Sequence, residues 1–142
     1  MQEQNYKNHS RLVPLYHYVT WLLWLLAFIA SIIKVVRNIK GCFATSLLFL
    51  GLTVIIGLAV YYARVFALKA QDRTIRAEEN LRHFVLTGKQ LPSALIVSQI
   101  IALRFASDDE WLALMQKALN EKMSSKQIKE NIKNWRGDYY RV

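Results

Sequence analysis

The stretch YYARVFALKAQDRTIRAEENLRHF, from Tyr61 to Phe84, begins in an apolar segment and ends in one crowded with charge. It contains neither glycine nor proline, so no residue in it breaks a helix. In its charged half Asp72 lies four residues before Arg76, and an acid in that position relative to a base stabilises an exposed helix. We therefore expect one helix that leaves an apolar environment and continues for about five turns into water, ending at Gly88.

Two long apolar runs precede this stretch, and the second overlaps its first residues. The first extends from Leu12 to Ile33 and the second from Cys42 to Ala63, and neither contains Asp, Glu, Lys or Arg. At 1.5 Å per residue each run reaches roughly 33 Å, which is enough for a hydrocarbon core about 30 Å thick. The runs predict two membrane-spanning helices, over about 12–36 and 42–66. The short segment KVVRNIKG between them predicts an antiparallel hairpin.

The distribution of charge predicts how the hairpin is oriented. The 142 residues include 19 Lys and Arg against 10 Asp and Glu, and among the acids only Glu3 precedes Asp72. The connecting loop carries three basic residues, whereas the opposite side carries six: Lys34, Arg37 and Lys40 against Lys7, Arg11, Arg64, Lys69, Arg73 and Arg76. Because cytoplasmic loops are enriched in Lys and Arg, we expect both termini in the cytoplasm. The excess charge is spread along the chain, which makes nucleic acid an unlikely partner.

Aromatic residues predict that the outer ends of the two runs share one membrane interface. Tyr16, Tyr18 and Trp21 begin the first run, and Tyr61 and Tyr62 end the second. Tyrosine and tryptophan concentrate at the headgroup level of a bilayer. A hairpin brings all five to one such level.

Small residues recur at helical spacing in both runs, and they predict close helix packing. The candidate packing residues are Ala27, Ser31, Thr53, Gly57, Ala59, Ala63 and Ala67. Their partner is either the other helix of the hairpin or another subunit, and the sequence leaves both open.

Beyond the second run, apolar residues recur at spacings of four and three: Ala70, Thr74, Ala77, Leu81, Phe84 and Val85. This apolar stripe predicts a face that contacts a partner, which we expect to be the remainder of the chain. The remainder reads as short helices, two of which begin at capping boxes formed by Ser107 with Glu110 and by Ser124 with Gln127. About 74 residues support only a modest core, so docking would help this region to fold.

The C-terminal segment is a candidate interaction surface. Four basic residues are expected along one side of a helix with an aromatic residue beside them: Lys126, Lys129, Lys133, Arg136 and Trp135. Such a helix either lies on anionic lipid or caps the helical domain with its lysines in water.

Residues capable of chemistry are few and have structural explanations. The triplet Asp108, Asp109 and Glu110 follows Ser107, where first-turn carboxylates favour the positive end of a helix. His9, His17 and His83 lack metal-ligand spacing. No nucleotide-binding, nucleophile or metalloprotease motif is present, so the sequence predicts neither an enzyme nor a cofactor or metal site.

Three classes of function remain. The first is a non-enzymatic interaction protein or accessory subunit, with the lipid bilayer and a protein partner or a second copy as its contacts. The alternative is a small oligomeric transporter or channel that uses polar residues of the spans, such as His17 and Thr53. A lipid-directed enzyme would depend on Asp108, Asp109 and His83.

Three segments resemble one known family. AQDRTIRAEENLRHF (70–84), QIIALRFASDDE (99–110) and IKNWRGDYYR (132–141) are similar to a family of small two-pass bacterial membrane proteins of unknown function. The resemblance implies a bacterial inner-membrane location and carries no activity with it.

The expected fold is all-α: a two-helix transmembrane hairpin whose second helix extends into a small cytoplasmic helical domain. The predicted divisions are an N-terminal tail (1–11), the hairpin (12–68) and the basic helical domain (69–142).

Overall fold

A computed structural model describes residues 4–6, 8, 12–38 and 41–139. Within these ranges the regular elements are all helical, apart from one isolated bridge between Ala106 and Trp135. A π-helical segment (Leu15–Thr20) leads directly into α1 (Trp21–Arg37). The later helices are α2 (Phe43–Thr87), α3 (Val97–Leu103), α4 (Asp108–Asn120) and α5 (Ser125–Asn131).

The chain forms two compact units. One comprises residues 12–67; the other comprises residues 68–142 together with the N-terminal segment. The described residues do not include three of the basic residues that predict the orientation, Lys7, Arg11 and Lys40. They also do not include His9.

The apolar helices of the first unit face outward. Leu15–Arg37 and Phe43–Thr87 are long and apolar enough to cross a membrane, and only 6% and 11% of their most apolar windows are buried. Helices in the core of a soluble protein bury most of such a window. Large side chains such as Leu48, Ile55 and Leu58 are instead more than half exposed.

Side chains of the π-helical segment and of α1 contact the backbone of α2. The Tyr16 hydroxyl donates to the Val60 carbonyl at 2.9 Å, and the Trp24 indole N–H donates to the Thr53 carbonyl at 2.8 Å. Gly57 is buried because the Trp24 ring covers it: a Cβ at that position would lie 2.5 Å from the indole nitrogen. These contacts pair residues 16–24 with residues 53–60 of α2.

The second unit has a buried apolar core. Phe105, Trp111 and Ile100 are its largest fully buried side chains, and residues from α3, α4, α5 and the connecting loops complete it. Ile100, Leu103 and Met115 belong to this core, whereas Ile96 is 60% exposed.

The continuation of α2 past the apolar segment agrees with the sequence. The helix is unbroken to Thr87 and ends at Gly88, whose N–H donates to the Phe84 carbonyl at 2.7 Å. Gly88 has φ +71°, a left-handed conformation that glycine adopts readily at the end of a helix.

The prediction for the apolar stripe of α2 is wrong about its partner. The buried residues of this segment are Ile75, Glu79 and His83, spaced four apart on one face. Leu81 and Phe84 of the stripe are 63% and 52% exposed. The remainder of the chain packs on the other side because Glu79 and His83 find polar partners there, which apolar periodicity does not reveal.

One capping prediction is confirmed and the other is wrong. Ser124 accepts from the Gln127 N–H, and the Gln127 side chain accepts in return from the Ser124 N–H at 2.8 Å. Ser107 does precede α4, but its hydroxyl makes no capping bond. The Glu110 carboxylate instead accepts the N–H groups of Lys133 and Asn134 at 3.1 and 2.9 Å.

Two residues far apart in the sequence, Gln4 and Asp138, are linked within the second unit. The Gln4 side-chain amide donates to the Asp138 carbonyl at 3.1 Å and accepts its N–H at 2.8 Å. A residue before the first apolar helix thus contacts a residue after the last helix.

Candidate interaction site

The site is built where α2 meets the start of α4. Arg82 of α2 donates through Nε to the Asp108 carboxylate at 2.7 Å and through one terminal nitrogen to the Ala106 carbonyl at 2.7 Å. Its other terminal nitrogen lies 3.3 Å from Glu79. One guanidinium therefore joins two carboxylates and a backbone carbonyl, a geometry that the planar five-donor group of arginine suits.

Glu79 is the buried acid of this cluster, with 5% exposure. Burial raises the pKa of its carboxyl above the ordinary value of 4.5, and attraction to Arg82 and Arg136 opposes that rise only in part. The Trp111 indole N–H also favours the ionised carboxylate, although its position falls outside hydrogen-bond geometry. Desolvation is thus the dominant effect on Glu79.

His83 has a structural role one turn further along. Its Nδ1 lies 2.8 Å from the Lys89 carbonyl, so Nδ1 carries the proton and donates to the loop after α2. Its ring lies 5.6 Å from that of Trp111. These contacts hold the loop and α4 against the helix.

A groove of about 510 Å³ opens beside this cluster. Exposed apolar side chains of α2 and charged side chains of the second unit line it: Glu78, Glu79, Leu81, Arg82, Val85, Leu86, Asp108 and Arg136. Among the described residues no ion pair involves the Arg136 side chain. Protein-binding surfaces combine an apolar area with polar and charged residues at its edge. This groove has both, and Arg136 is a charge with which a partner can pair.

Comparison with known families identifies the chain at the level of family. One family model matches residues 1–142, the whole chain. The chain belongs to the Family of unknown function (DUF6526). Neither the curated proteins nor the solved structures compared with this DUF6526 chain yield a match. The expected membership of a family of unknown function is therefore confirmed.

The predicted C-terminal surface of the DUF6526 chain has a different geometry from the one expected. Helix α5 ends at Asn131, so Lys133, Trp135 and Arg136 lie in an extended segment and share no helix side with Lys126 and Lys129. The prediction of one basic helix is wrong because long-range bonds hold this segment. The Arg136 N–H donates to the Phe105 carbonyl at 2.7 Å.

The aromatic residue of that surface packs inward. The Trp135 ring is half-buried, 5.2 Å from the Phe105 ring. Ile128 and Ile132 join the same core. The segment therefore caps the helical domain, one of the two alternatives that the sequence left open, and an anionic-lipid contact by Lys126, Lys129 and Lys133 stays a prediction.

Three of the candidate packing residues lie between α1 and α2. The hydroxyls of Ser31 and Thr53 are 3.3 Å apart, and Gly57 lies under Trp24. Three others are exposed: Ala27, Ala59 and Ala63. Ala67 is half-buried.

The residues considered for chemistry do not converge. Asp108 is bound to Arg82, Asp109 is exposed, and His83 donates to a backbone carbonyl. Over the described ranges no group of three or more His, Cys, Asp or Glu side chains could hold a metal ion. The His17 ring bonds the backbone of Val13 one turn before it, and the transporter alternative stays a prediction.

Sequence reasoning missed Glu79, Arg82 and Arg136 as members of one site. The available signal was weak: the apolar Ile75 lies four residues before Glu79, on the otherwise polar face of α2. Only the fold brings the distant Arg136 to them.

Proposed function

We propose that this DUF6526 protein is a non-enzymatic, two-pass protein of the bacterial cytoplasmic (inner) membrane that binds a protein partner. Its apolar helices form the membrane hairpin, both termini are cytoplasmic, and the helical domain presents the interaction site. The bacterial location rests on the family resemblance.

The observation that carries the membrane assignment is the outward exposure of the two apolar helices. Their most apolar windows are only 6% and 11% buried, although residues 95–132 of the same chain form a well-buried core. Soluble proteins rarely expose apolar surface on this scale, and lipid is the solvent that accepts it.

Two observations support a common side for the termini. The Gln4–Asp138 hydrogen bonds join a residue before the first span to one after the second. The Tyr16–Val60 bond, which joins the outer ends of the two apolar segments, supports a common membrane level for those ends. The count of Lys and Arg favours the cytoplasm for that side.

The interaction surface rests on the exposed apolar residues of α2 beside the groove. Leu81 and Val85 are 63% and 75% exposed and lie one turn apart. They belong to the cytoplasmic part of α2, where lipid cannot cover them. Contiguous apolar surface rimmed by charge marks a protein contact.

Site-specific photocrosslinking in native membranes tests this surface. A photoreactive residue at Val85 should give a crosslinked protein species, because Val85 lines the groove in which we expect the partner to bind. The matched control is Gln116, an exposed polar position on α4, which should give none. Equal yields at both positions, or none at Val85, would contradict the proposed function.

A further inference from the structure

The open face of α2 lies directly opposite the face that the domain covers. Its members are all exposed: Ala70, Thr74, Ala77, Leu81 and Phe84. At about 100° per residue, their mean direction differs by about 180° from that of Ile75, Glu79 and His83. We call these five residues the open seam. The domain packs on the back of this helix and leaves the seam uncovered.

The spacing along the open seam is that of a coiled coil. The intervals from Ala70 to Phe84 are four, three, four and three, which is the a/d pattern of a heptad repeat. Thr74 and Leu81 occupy a positions, whereas the other three occupy d positions. The same spacing begins at Ala63 and Ala67 within the continuous helix, so it extends over about three heptads.

We propose that the occupant of the open seam is the same seam of a second copy, so that the protein is a parallel coiled-coil dimer. This inference rests on the proposed function, because two copies anchored in one membrane with one orientation can pair these helices only in parallel. Residues of equal number then lie at equal depth.

Charge complementarity at the edges of the seam supports this occupant. In a parallel coiled coil a g residue of one helix faces the e residue five positions later on the other. Arg73 occupies g and Glu78 occupies the following e position. Both are exposed, and neither makes an ion pair with another residue of the described ranges. A symmetric dimer gains two Arg73–Glu78 pairs.

Residue size also fits a second copy. Ala70, Thr74 and Ala77 are small, so two helices can approach closely along the part nearer the membrane. Leu81 and Phe84 supply the large apolar contact further along, where they are now exposed. The Glu78 side of the seam adjoins the groove, so a second copy also covers one edge of the candidate interaction site.

Disulfide crosslinking in membranes tests the seam. The background is the full chain with Cys42→Ser, which removes the sole native cysteine. Ala77→Cys should form a disulfide-linked dimer on mild oxidation, because d residues face each other. The matched control is Arg76→Cys, one residue away and exposed, about 120° round the helix from the centre of the seam, which should remain monomeric.

Charge reversal tests the register. Arg73→Glu alone and Glu78→Arg alone should each raise the dimer Kd in mild detergent at low salt by about tenfold. The double variant Arg73→Glu with Glu78→Arg should restore it, because the pairs re-form with their signs exchanged. Failure of the double variant to restore the dimer overturns the parallel register.

The results separate this inference from the function on which it rests. Equal crosslinking at positions 76 and 77, or none at either, overturns the dimer. If Val85 photocrosslinks to a different protein in that case, the proposed function stands with another partner. If carbonate extraction releases the chain from membranes, the membrane anchor fails, and the argument for parallel pairing fails with it.

Discussion

At the scale of single residues, the cluster around Glu79 shows how one buried charge is accommodated. Arg82 connects it to Asp108 and to the Ala106 carbonyl, so the attachment of α2 to the domain depends on a polar cluster as well as on the apolar core. Removing one partner of such a cluster leaves a buried charge unpaired. The resulting loss in the free energy of unfolding exceeds the net contribution of the intact cluster.

The raised pKa of Glu79 predicts a pH-dependent stability. A carboxyl whose folded pKa exceeds its unfolded value contributes stability below the unfolded pKa, near 4.5, and loses it as pH rises through the folded pKa. Glu79→Gln should therefore gain thermal stability relative to wild type between pH 4.5 and pH 7.5, measured by circular dichroism in one detergent. The exposed Glu121→Gln is the control. Parallel curves for wild type and Glu79→Gln would contradict the prediction.

The polar members of this site mark the limit of sequence reasoning at this scale. Helical periodicity located α2 to within a residue of its end, but it assigned the wrong face to the domain. Glu79 and His83 are buried because Arg82 and the Lys89 carbonyl satisfy them, and a hydropathy pattern scores both as surface residues. Arg136 reaches the site through long-range backbone contacts of its segment, including the bond from its N–H to the distant Phe105 carbonyl.

At the scale of helices, one aromatic side chain of α1 packs against α2 and hydrogen-bonds to its backbone. Trp24 lies across Gly57 and donates to the Thr53 carbonyl. Because lipid provides no hydrophobic drive for association, such close packing and hydrogen bonding hold membrane helices together.

Gly57→Ala should therefore destabilise the helix pair, by about 1–3 kcal/mol, because the added Cβ displaces the Trp24 ring and its hydrogen bond. Unfolding in a denaturing-detergent titration measures the loss. Gly51→Ala is the matched control, since a Cβ there has nothing within 4 Å, and it should change stability little. If Gly57→Ala costs as much in a Trp24→Leu background as in wild type, Trp24 is not the reason.

Element boundaries were predictable where local chemistry fixes them. Gly88 ends α2 and Ser124 begins α5, and each acts through its immediate neighbours. The end of α5 at Asn131 was not predictable, because residues 133–136 bond to Glu110, Phe105 and Ser107. Propensity alone favoured a longer helix.

At the scale of the whole molecule, the proposed topology has a consequence for the loop between α1 and α2, which lies outside the cytoplasm if both termini lie inside it. Cys42 lies directly before α2 and is exposed. Under the proposed topology Cys42 is on the non-cytoplasmic side of the membrane.

A membrane-impermeant maleimide should therefore label Cys42 in cells whose outer membrane has been permeabilised and whose inner membrane is intact. In a Cys42→Ser background, a cysteine at the exposed Gln116 should react only after the inner membrane is opened. Labelling in the reverse order would place the termini outside the cytoplasm, and labelling of both sites in intact cells would argue against a two-pass protein.

The hydrogen bonds between Gln4 and Asp138 carry a temporal consequence. Since 134 positions separate the two residues, a ribosome has synthesised both apolar helices before this clasp can close. Gln4 therefore has no partner at this position until Asp138 has been translated. Formation of these bonds thus reports that both apolar helices have been synthesised: a chain halted before Asp138 would leave Gln4 more accessible to protease than a chain that includes Asp138.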